Sequence, residues 1–532
     1  MQLGLWIWVD ALCINQDDPQ ERAREVPRMR IIYKSALDVV IWLGEGRDNS
    51  DLAIRLIKTL SKFSEENNAL SVGRMLSKDP NFLGVGAWRA LGQLMNREYW
   101  SRVWIMQEIA LGNAQSPLLC GQEAATWDDF VRALNTFTAH HLKLVFTLVE
   151  SQYSSAELAG TIYSGLNRGR IIHFRTAQNT ELLHGPETSD NLMPLLDLGR
   201  RALATDNRDK VYGILGLMPT AIREVVKVDY QLPVAEVYAS FARAIFETVR
   251  NLAILEQCSG PAIGMPSWAQ DWTEKDHYRL FGGNCNYHAG IESMDVSFTA
   301  HFSEDGNVLR CRVAYIDTIE GLGVRFVYPF GTKSNESWED SIVQPRTCSN
   351  AYQTENGLHD ALWRTLVGNR TPNGKKAPLS YSSLLKCPIL LGEEVSEELR
   401  SWRGRKAFDQ VVGQNAALLI AGRSLASFFP TENDPILALD PAESHDAMER
   451  MFRLHRSRRL AVTSRGYLGL VPAASRQDDC IGILERCPVA MTLRRVSSHE
   501  FEVIGPAYLH GFMESGDRFK EDVGDCWQIN LR

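Results

Sequence analysis

Apolar and polar positions at the start of the chain alternate in blocks, as they do in a parallel α/β unit. Residues 3–9 (LGLWIWV) are a continuous apolar run that ends at Asp10, and residues 38–44 (DVVIWLG) are a second run that ends at a glycine. Continuous runs of this length are typical of strands buried on both faces of a sheet. We therefore expect the two segments to be adjacent parallel strands joined by a right-handed crossover.

Residues 17–36 lie between the two runs and carry a helical pattern, because their apolar positions recur every three or four residues. Asp17 or Asp18 can cap this helix, and Pro19 suits its first turn. Pro27 lacks the N–H group that an interior helical position needs. The pattern therefore predicts a helix that is kinked, or that starts again, at Pro27.

The rest of the chain changes its periodicity twice. Helical patterns are found at about 51–66, at 96–112 (NREYWSRVWIMQEIALG), and almost throughout 126–255. From about residue 290 the patterns alternate with a period of two, which favours strands. We expect three regions: an α/β domain at 1–125, a helical region at 126–275, and a mixed, β-rich α+β region at 276–532.

Composition and charge narrow the functional classes. There are 57 basic and 65 acidic residues, giving a formal net charge of −8, which argues against a surface built to neutralise nucleic-acid phosphates. Ten cysteines without a C-x-x-C pair are too sparse for a disulfide scaffold. The apolar run at 142–149 is much shorter than the roughly 20 residues that a membrane span needs. We expect a soluble, cytoplasmic protein without nucleic-acid or membrane partners.

Candidate chemistry is concentrated where predicted elements end. Asp10, Asn15 and Gln16 follow the first predicted strand, which is where ligands bind in open α/β sheets. Trp104 and Glu108 lie one turn apart on the helix predicted at 96–112. The loop residues could equally do no more than cap the next helix, and Glu108 could be a surface or ion-paired glutamate. No metal-binding motif accompanies them, and we interpret His140 and His141 as a surface pair.

Two long segments resemble a known family. Residues 5–45 and 99–112 (YWSRVWIMQEIALG) are similar to the two signatures of the fungal heterokaryon incompatibility (HET) domain. Further blocks resemble the recurring segments of long HET-domain proteins: 204–219, 228–238, 265–272, 313–323, 363–370, 458–472 and 507–513. Such domains normally begin with a strand and a Tyr–Trp–Gly loop, and nothing that matches them precedes Met1. We therefore expect an incomplete sheet with an open, apolar edge that favours self-association.

The resemblance also implies a fold and a function. HET domains are similar to TIR domains, so it implies a flavodoxin-like parallel sheet, incomplete at its N-terminus. The W-x-x-x-E arrangement at Trp104 and Glu108 matches that of NAD+-cleaving TIR domains. By this resemblance Glu108 is catalytic; Asp10, Asn15, Gln16 and Trp104 line the substrate pocket; and NAD+ is a substrate, with no cofactor and no metal.

The implied protein is an effector of fungal non-self recognition that triggers programmed cell death. It would act as an NAD+ glycohydrolase that assembles as a homo-oligomer in response to an unidentified protein trigger. A non-enzymatic, self-associating scaffold and an inactive, truncated paralogue are the alternatives.

Overall fold

The chain forms two compact units, Met1–Val237 and Tyr238–Arg532, and each is described by itself. The computed structural model describes the following residues: 6–63, 85–136, 189–273, 287–289, 298–325, 341–372, 374–387, 403–430, 441–514 and 526–532. The apolar run at 142–149, the pair His140–His141 and most of the composition shift near 276–290 lie outside these ranges.

The first unit combines short helices with a small sheet. Its elements are, in order, α1 (Asp10–Cys13), α2 (Pro19–Glu25), α3 (Met29–Ser35), β1 (Ile41–Trp42), α4 (Ser50–Phe63), α5 (Val85–Met95), α6 (Ile105–Leu111), β2 (Pro117–Cys120), β3 (Glu123–Thr126), α7 (127–136), α8 (Ser189–Arg201), α9 (Asp209–Leu215), α10 (Thr220–Val225) and α11 (Val234–Val249). The division between the two units falls within α11.

The helical segment within the first signature forms as its sequence predicts. Asp18 caps α2 by accepting hydrogen bonds from the backbone N–H groups of Gln20 (2.9 Å) and Glu21 (3.3 Å), and Pro19 is the first helical residue. Pro27 lies in a single 3₁₀ turn between α2 and α3. The expected interruption at Pro27 is therefore confirmed, and its cause is the missing N–H group.

The sheet of this unit differs from the predicted one. Strand β1 pairs in parallel with β2, and β2 pairs antiparallel with β3. The strand predicted at 3–9 is wrong for the described residues 6–9, which are irregular, with Trp6 99% exposed and Ile7 80% exposed. Their partner is instead Tyr33, whose ring meets that of Trp8 edge-on. An apolar run alone does not specify which strand it will pair with. The strand that pairs with β1 is β2, which lies more than 70 residues later in the chain.

The helix predicted at 96–112 is also shorter than expected. Residues Glu98–Ser101 form a 3₁₀ turn, Arg102 is extended, and α6 begins only at Ile105. The break has a clear cause, since Val103 N–H donates to the Leu203 carbonyl (3.0 Å) and Leu203 N–H donates to that of Ser101. These bonds to a distant segment replace helical ones. The predicted end at Gly112 is confirmed.

One hydrophobic core supports α6 and the sheet. Its buried side chains come from β1, β2, β3, α4, α5, α6 and α7. Its largest members are Trp88, Trp100, Trp127 and Phe130, each at most 2% exposed. Trp100 stacks on Phe130 with ring centroids 5.0 Å apart, and its indole N–H donates to the Leu94 carbonyl at 2.9 Å. The 3₁₀ turn that precedes α6 is therefore anchored in this core.

The second unit contains strands where the alternating patterns predict them. Its elements are β4 (His301–Phe302), β5 (Leu309–Leu322), α12 (Glu355–Val367), α13 (Arg403–Gln414), β6 (Leu419–Ile420), β7 (Arg423–Ser424), α14 (Pro441–His455), β8 (Arg458–Thr463), β9 (Leu468–Pro472), β10 (Cys480–Leu484), β11 (Ala490–Arg495), β12 (Glu500–Leu509) and β13 (Cys526–Leu531). Short 3₁₀ turns lie between several of them.

Strands β5 and β12 are long enough to take part in several pairings. Along its length β5 pairs first with β13, then with β10, and finally with β8, in each case antiparallel. Strand β12 pairs with β11 and β9 antiparallel and with β13 in parallel. Because β10 also pairs with β11 and β8 with β9, the sheet closes on itself as a barrel.

Helix α14 contacts the C-terminal end of α12, which lies in the recurring sequence block 363–370. The exposed carbonyls of a helix C-terminus need donors, and here they receive them from distant segments. The His455 ring bonds the Leu366 carbonyl (3.2 Å), and the Arg450 guanidinium bonds that of Val367 (3.3 Å). Gly368, with φ of 60°, ends the helix. The Arg450 cation also complements the negative end of the helix dipole, whereas burial lowers the pKa of His455 to about 4 and keeps that ring neutral.

Among the described residues, no helix is both long and apolar enough to cross a membrane. The predicted domain boundaries at 125/126 and 275/276 stay predictions.

Candidate functional site

The carboxylate of Glu108 lies at the centre of the candidate site. It is on α6, where Ile105, Met106 and Ile109 are buried, and it keeps partial access to solvent, as does Trp104, the residue just before the helix. Its Oε2 accepts a hydrogen bond from the Tyr99 hydroxyl at 3.1 Å. Trp104 and Glu108 of the W-x-x-x-E arrangement are thus both partly accessible to solvent, at the start of α6 and on it.

Burial dominates the electrostatics of Glu108. It raises the pKa of this carboxyl above its usual range, and the negative charge of Asp10 raises it further. The hydrogen bond from Tyr99 and the charge of Arg102 act in the opposite direction. A carboxylate with a raised pKa in a partly open site is a common feature of functional centres.

Two tyrosines and Asp10 complete this cluster. Burial raises the pKa of Tyr33, and the charges of Glu108 and Asp10 add to that effect. Burial and the nearby Glu108 charge also raise the pKa of Tyr99. The structure therefore brings Asp10 within electrostatic range of Glu108, as expected if the loop after residue 9 faces the helix.

Asn15 and Gln16 are exposed and make bonds within their own loop. The Asn15 side-chain oxygen accepts from the Asp17 backbone N–H at 3.1 Å, and the Gln16 amide donates to the Asp10 carbonyl at 3.1 Å. These contacts shape the loop that carries Asp10. The substrate-binding role of the two residues stays a prediction.

A second charged cluster contacts the other predicted residue, Trp104. Asp209, the first residue of α9, accepts a hydrogen bond from the Tyr230 hydroxyl at 2.6 Å and lies 3.6 Å from the Arg22 guanidinium. The Trp104 side chain is a further hydrogen-bond donor to this carboxylate. Arg22 also covers the Tyr230 ring at 3.7 Å. Residues 204–219 and 228–238 therefore reach both signature segments through Asp209 and Tyr230.

The free energy of unfolding should change with pH as the Asp209 carboxyl ionises. Burial raises its pKa to about 6, against the lowering effects of Tyr230 and Arg22. Because the folded state holds this proton more tightly than the unfolded chain, the contribution to stability is full below about pH 4. It is lost as the pH rises through about 6, by up to about 3 kcal/mol. Relative to Asp209→Asn, which stays uncharged, the parent should lose this free energy of unfolding between pH 4 and 7. Urea titrations of both proteins across this range measure the difference, and parallel profiles would contradict the prediction.

Helix α9 also packs closely on the segment that leads into α6. A Cβ atom added at Gly213 would lie 2.8 Å from a methyl carbon of Val103, which is fully buried. The Gln107 amide donates to the Gly213 carbonyl at 3.0 Å. The absence of a side chain at position 213 therefore sets the distance between α9 and the chain around Glu108.

Gly213→Ala should destabilise the first unit by about 1–3 kcal/mol, because the stiff, β-branched Val103 has little freedom to move aside. Gly86→Ala is the matched control, since nothing lies within 4 Å of its added Cβ. In helix α5 that change should be neutral or stabilising by up to about 1 kcal/mol. Hydrogen exchange on peptides that cover 85–136 and 203–217 distinguishes the two. If the two substitutions changed stability equally, the close contact between position 213 and Val103 would not be the cause of the loss.

Sequence reasoning missed Tyr33, Tyr99, Arg102 and Asp209. The tyrosines occupy apolar positions of helical patterns, where aromatic residues normally signal core. Asp209 lies about a hundred residues from the helix it contacts. The block at 204–219, which resembles a recurring family segment, was the available signal for Asp209. Within the described ranges, no group of three or more His, Cys, Asp or Glu side chains could hold a metal ion.

Comparison with known proteins agrees with the sequence resemblance. Residues 3–108 match the family model described as Heterokaryon incompatibility protein (HET). A curated relative, Heterokaryon incompatibility protein 6, OR allele, of Neurospora crassa, is 29% identical over 573 residues, which cover 96% of this chain and 81% of the relative. No solved structure matches the chain. The family match and the relative are thus both heterokaryon incompatibility proteins to which this chain is similar.

Proposed function

We propose that this protein acts in fungal heterokaryon incompatibility, as a non-self recognition effector that triggers cell death by hydrolysing NAD+ at Glu108. The observation that carries the enzymatic part is the partly open, mostly buried carboxylate of Glu108, held by Tyr99 and within electrostatic range of Asp10. The proposal includes a TIR-like arrangement of the first region, which the α/β composition and the parallel β1–β2 pair support.

The arrangement suits cleavage of a bond that leaves positive charge behind. When the bond between the nicotinamide nitrogen and ribose C1′ breaks, its electron pair goes to the nicotinamide, and the ribose becomes an oxocarbenium-like cation. The carboxylate of Glu108 would bind the ribose hydroxyls and stabilise that cation. A water molecule then adds to C1′ and loses one proton, which gives ADP-ribose, free nicotinamide and a proton.

Purified protein incubated with NAD+ tests the enzymatic part. We expect equal amounts of nicotinamide and ADP-ribose to form with time, and the rate to fall on the acid side as Glu108 takes up a proton. Because burial raises the pKa of this carboxyl, the fall should begin at a higher pH than for an exposed glutamate. A folded protein that forms no product would favour the scaffold or the inactive paralogue.

A scaffold that self-associates is the second candidate, and one observation favours it. In the described part of the chain, most of the large exposed hydrophobic side chains lie close together in sequence: Trp6, Ile7, Val9, Leu12, Ile31, Leu37, Val40 and Trp42. Within the same residues, β1 pairs with β2 alone. Apolar side chains and an open strand edge in one short stretch favour association.

Size-exclusion chromatography with light scattering tests this association. We expect the parent to run as a homo-oligomer whose mass rises with concentration, and the pair Trp6→Ser and Leu37→Ser to shift it toward the monomer. Ile263→Ser is the matched control, because that side chain is fully exposed in the second unit. A parent that stays monomeric at all concentrations would count against self-association. Association without NAD+ loss would favour the scaffold over the enzyme.

A further inference from the structure

Packing, and not the carboxylate, fixes the position of the Tyr99 phenol. Tyr99 lies in the 3₁₀ turn Glu98–Ser101, and its ring stands edge-on to that of Trp100, with centroids 5.4 Å apart. Trp100 is 1% exposed and stacked on Phe130. The Tyr99 hydroxyl is therefore a preorganised donor, whose location the core sets before any ligand arrives.

The two oxygens of Glu108 have different surroundings. Oε2 accepts the hydrogen bond from Tyr99, whereas Oε1 accepts none from any residue that the structure describes. Glu108 as a whole is only partly buried. The charged or titratable groups that act on it are Tyr99 from the 3₁₀ turn, Arg102 from the extended link, and Asp10 from α1, with Tyr33 from α3 close by. One oxygen is thus held and the other is left for a ligand.

We propose that Tyr99 is a positioning residue: it holds Oε2 of Glu108 so that Oε1 is presented to the ribose hydroxyls of a pyridine nucleotide. This inference rests on the proposed NAD+ hydrolysis. The hydroxyl donates to the carboxylate and therefore favours its ionised form over the protonated one. Tyr99 itself touches neither the bond that breaks nor the water that attacks.

Tyr99→Phe tests the proposal, because it removes the hydroxyl and keeps the ring that packs on Trp100. We expect kcat for NAD+ cleavage to fall about tenfold, with KM within about twofold, since a hydrogen bond to a charged group is lost. The acid limb of the kcat–pH profile should move to higher pH by about one unit. Added to Glu108→Gln, the change should lower kcat little further.

The matched control is Tyr212→Phe, which removes a hydroxyl that donates to the Asp229 carbonyl (2.9 Å) in the same unit. Its pH profile should equal that of the parent. An unmoved acid limb in Tyr99→Phe, or an equal effect of Tyr212→Phe, overturns the positioning role. A parent without turnover instead overturns the proposed function. The positioning role is then tested by a double-mutant cycle of Tyr99→Phe and Glu108→Ala, measured on the unfolding equilibrium constant. A coupling of less than about threefold between the two changes rejects the positioning role.

Discussion

Glu108→Gln is expected to lower the rate of NAD+ cleavage by at least about 100-fold and to abolish cell killing, because it removes the charge that would stabilise the oxocarbenium-like state. The change keeps the shape of the side chain, and the new amide oxygen can still accept the Tyr99 hydrogen bond. We therefore expect the free energy of unfolding to change by less than about 1 kcal/mol. Product formation by the purified variant and growth of a fungal host that expresses it measure the two effects.

Glu98→Gln is the matched control, since it makes the same chemical change ten residues earlier, at an exposed position on the turn before α6. It should cleave NAD+ and kill as the parent does. If Glu108→Gln kills as well as the parent, the catalytic assignment is wrong. If the variant instead unfolds, Glu108 has a structural role.

Trp100→Ala is expected to give the largest loss of stability in the first unit, about 3–5 kcal/mol, because it empties a fully enclosed site in the core. The change removes the stacked contact with Phe130 and the donor to the Leu94 carbonyl. It also removes the ring against which Tyr99 packs. Hydrogen exchange on peptides that cover 85–136 should accelerate together, and NAD+ cleavage should be lost with the fold.

Trp42→Ala provides the comparison, since this side chain is 45% exposed at the end of β1. The same truncation there should cost clearly less than at Trp100, because nearly half of the side chain is already in contact with water and no enclosed cavity is left behind. Similar losses for the two tryptophans would mean that Trp100 does not anchor the turn before α6.

Local rules predicted elements well where the relevant partners are close in sequence. The cap at Asp18 and the interruption at Pro27 depend on neighbouring residues alone, and both formed as expected. The alternating patterns of 458–472 and 501–509 became strands for the same reason. The strand expected at 3–9 is absent from its described part, residues 6–9, because an apolar run does not identify its partner. The start of α6 moved because Leu203 supplies a bond that no local pattern encodes.

The candidate site was predictable in outline and not in its supporting contacts. Asp10 and Glu108 could be proposed from their positions after a run of apolar residues and on a helix face. The contact of the Tyr99 hydroxyl with Glu108 could not be predicted, because the extended residue Arg102 interrupts the helical spacing between them. Asp209 joins Trp104 only through tertiary structure. The only further indication in the sequence that distant residues contribute to the site was the resemblance of segments outside the two signatures to recurring family segments.

The closed sheet of the second unit has a consequence for synthesis on the ribosome. Strand β13 (Cys526–Leu531) pairs with the first half of β5, about two hundred residues earlier in the chain. Closing so large a loop is slow, and the nascent polypeptide cannot do it until Leu531 has left the exit tunnel. Until then the edge of β5 that β13 covers is unpaired, and open strand edges favour association with other chains. The barrel of the second unit therefore closes late, once β13 has been made, and a premature stop shortly before β13 would leave a chain that cannot complete it.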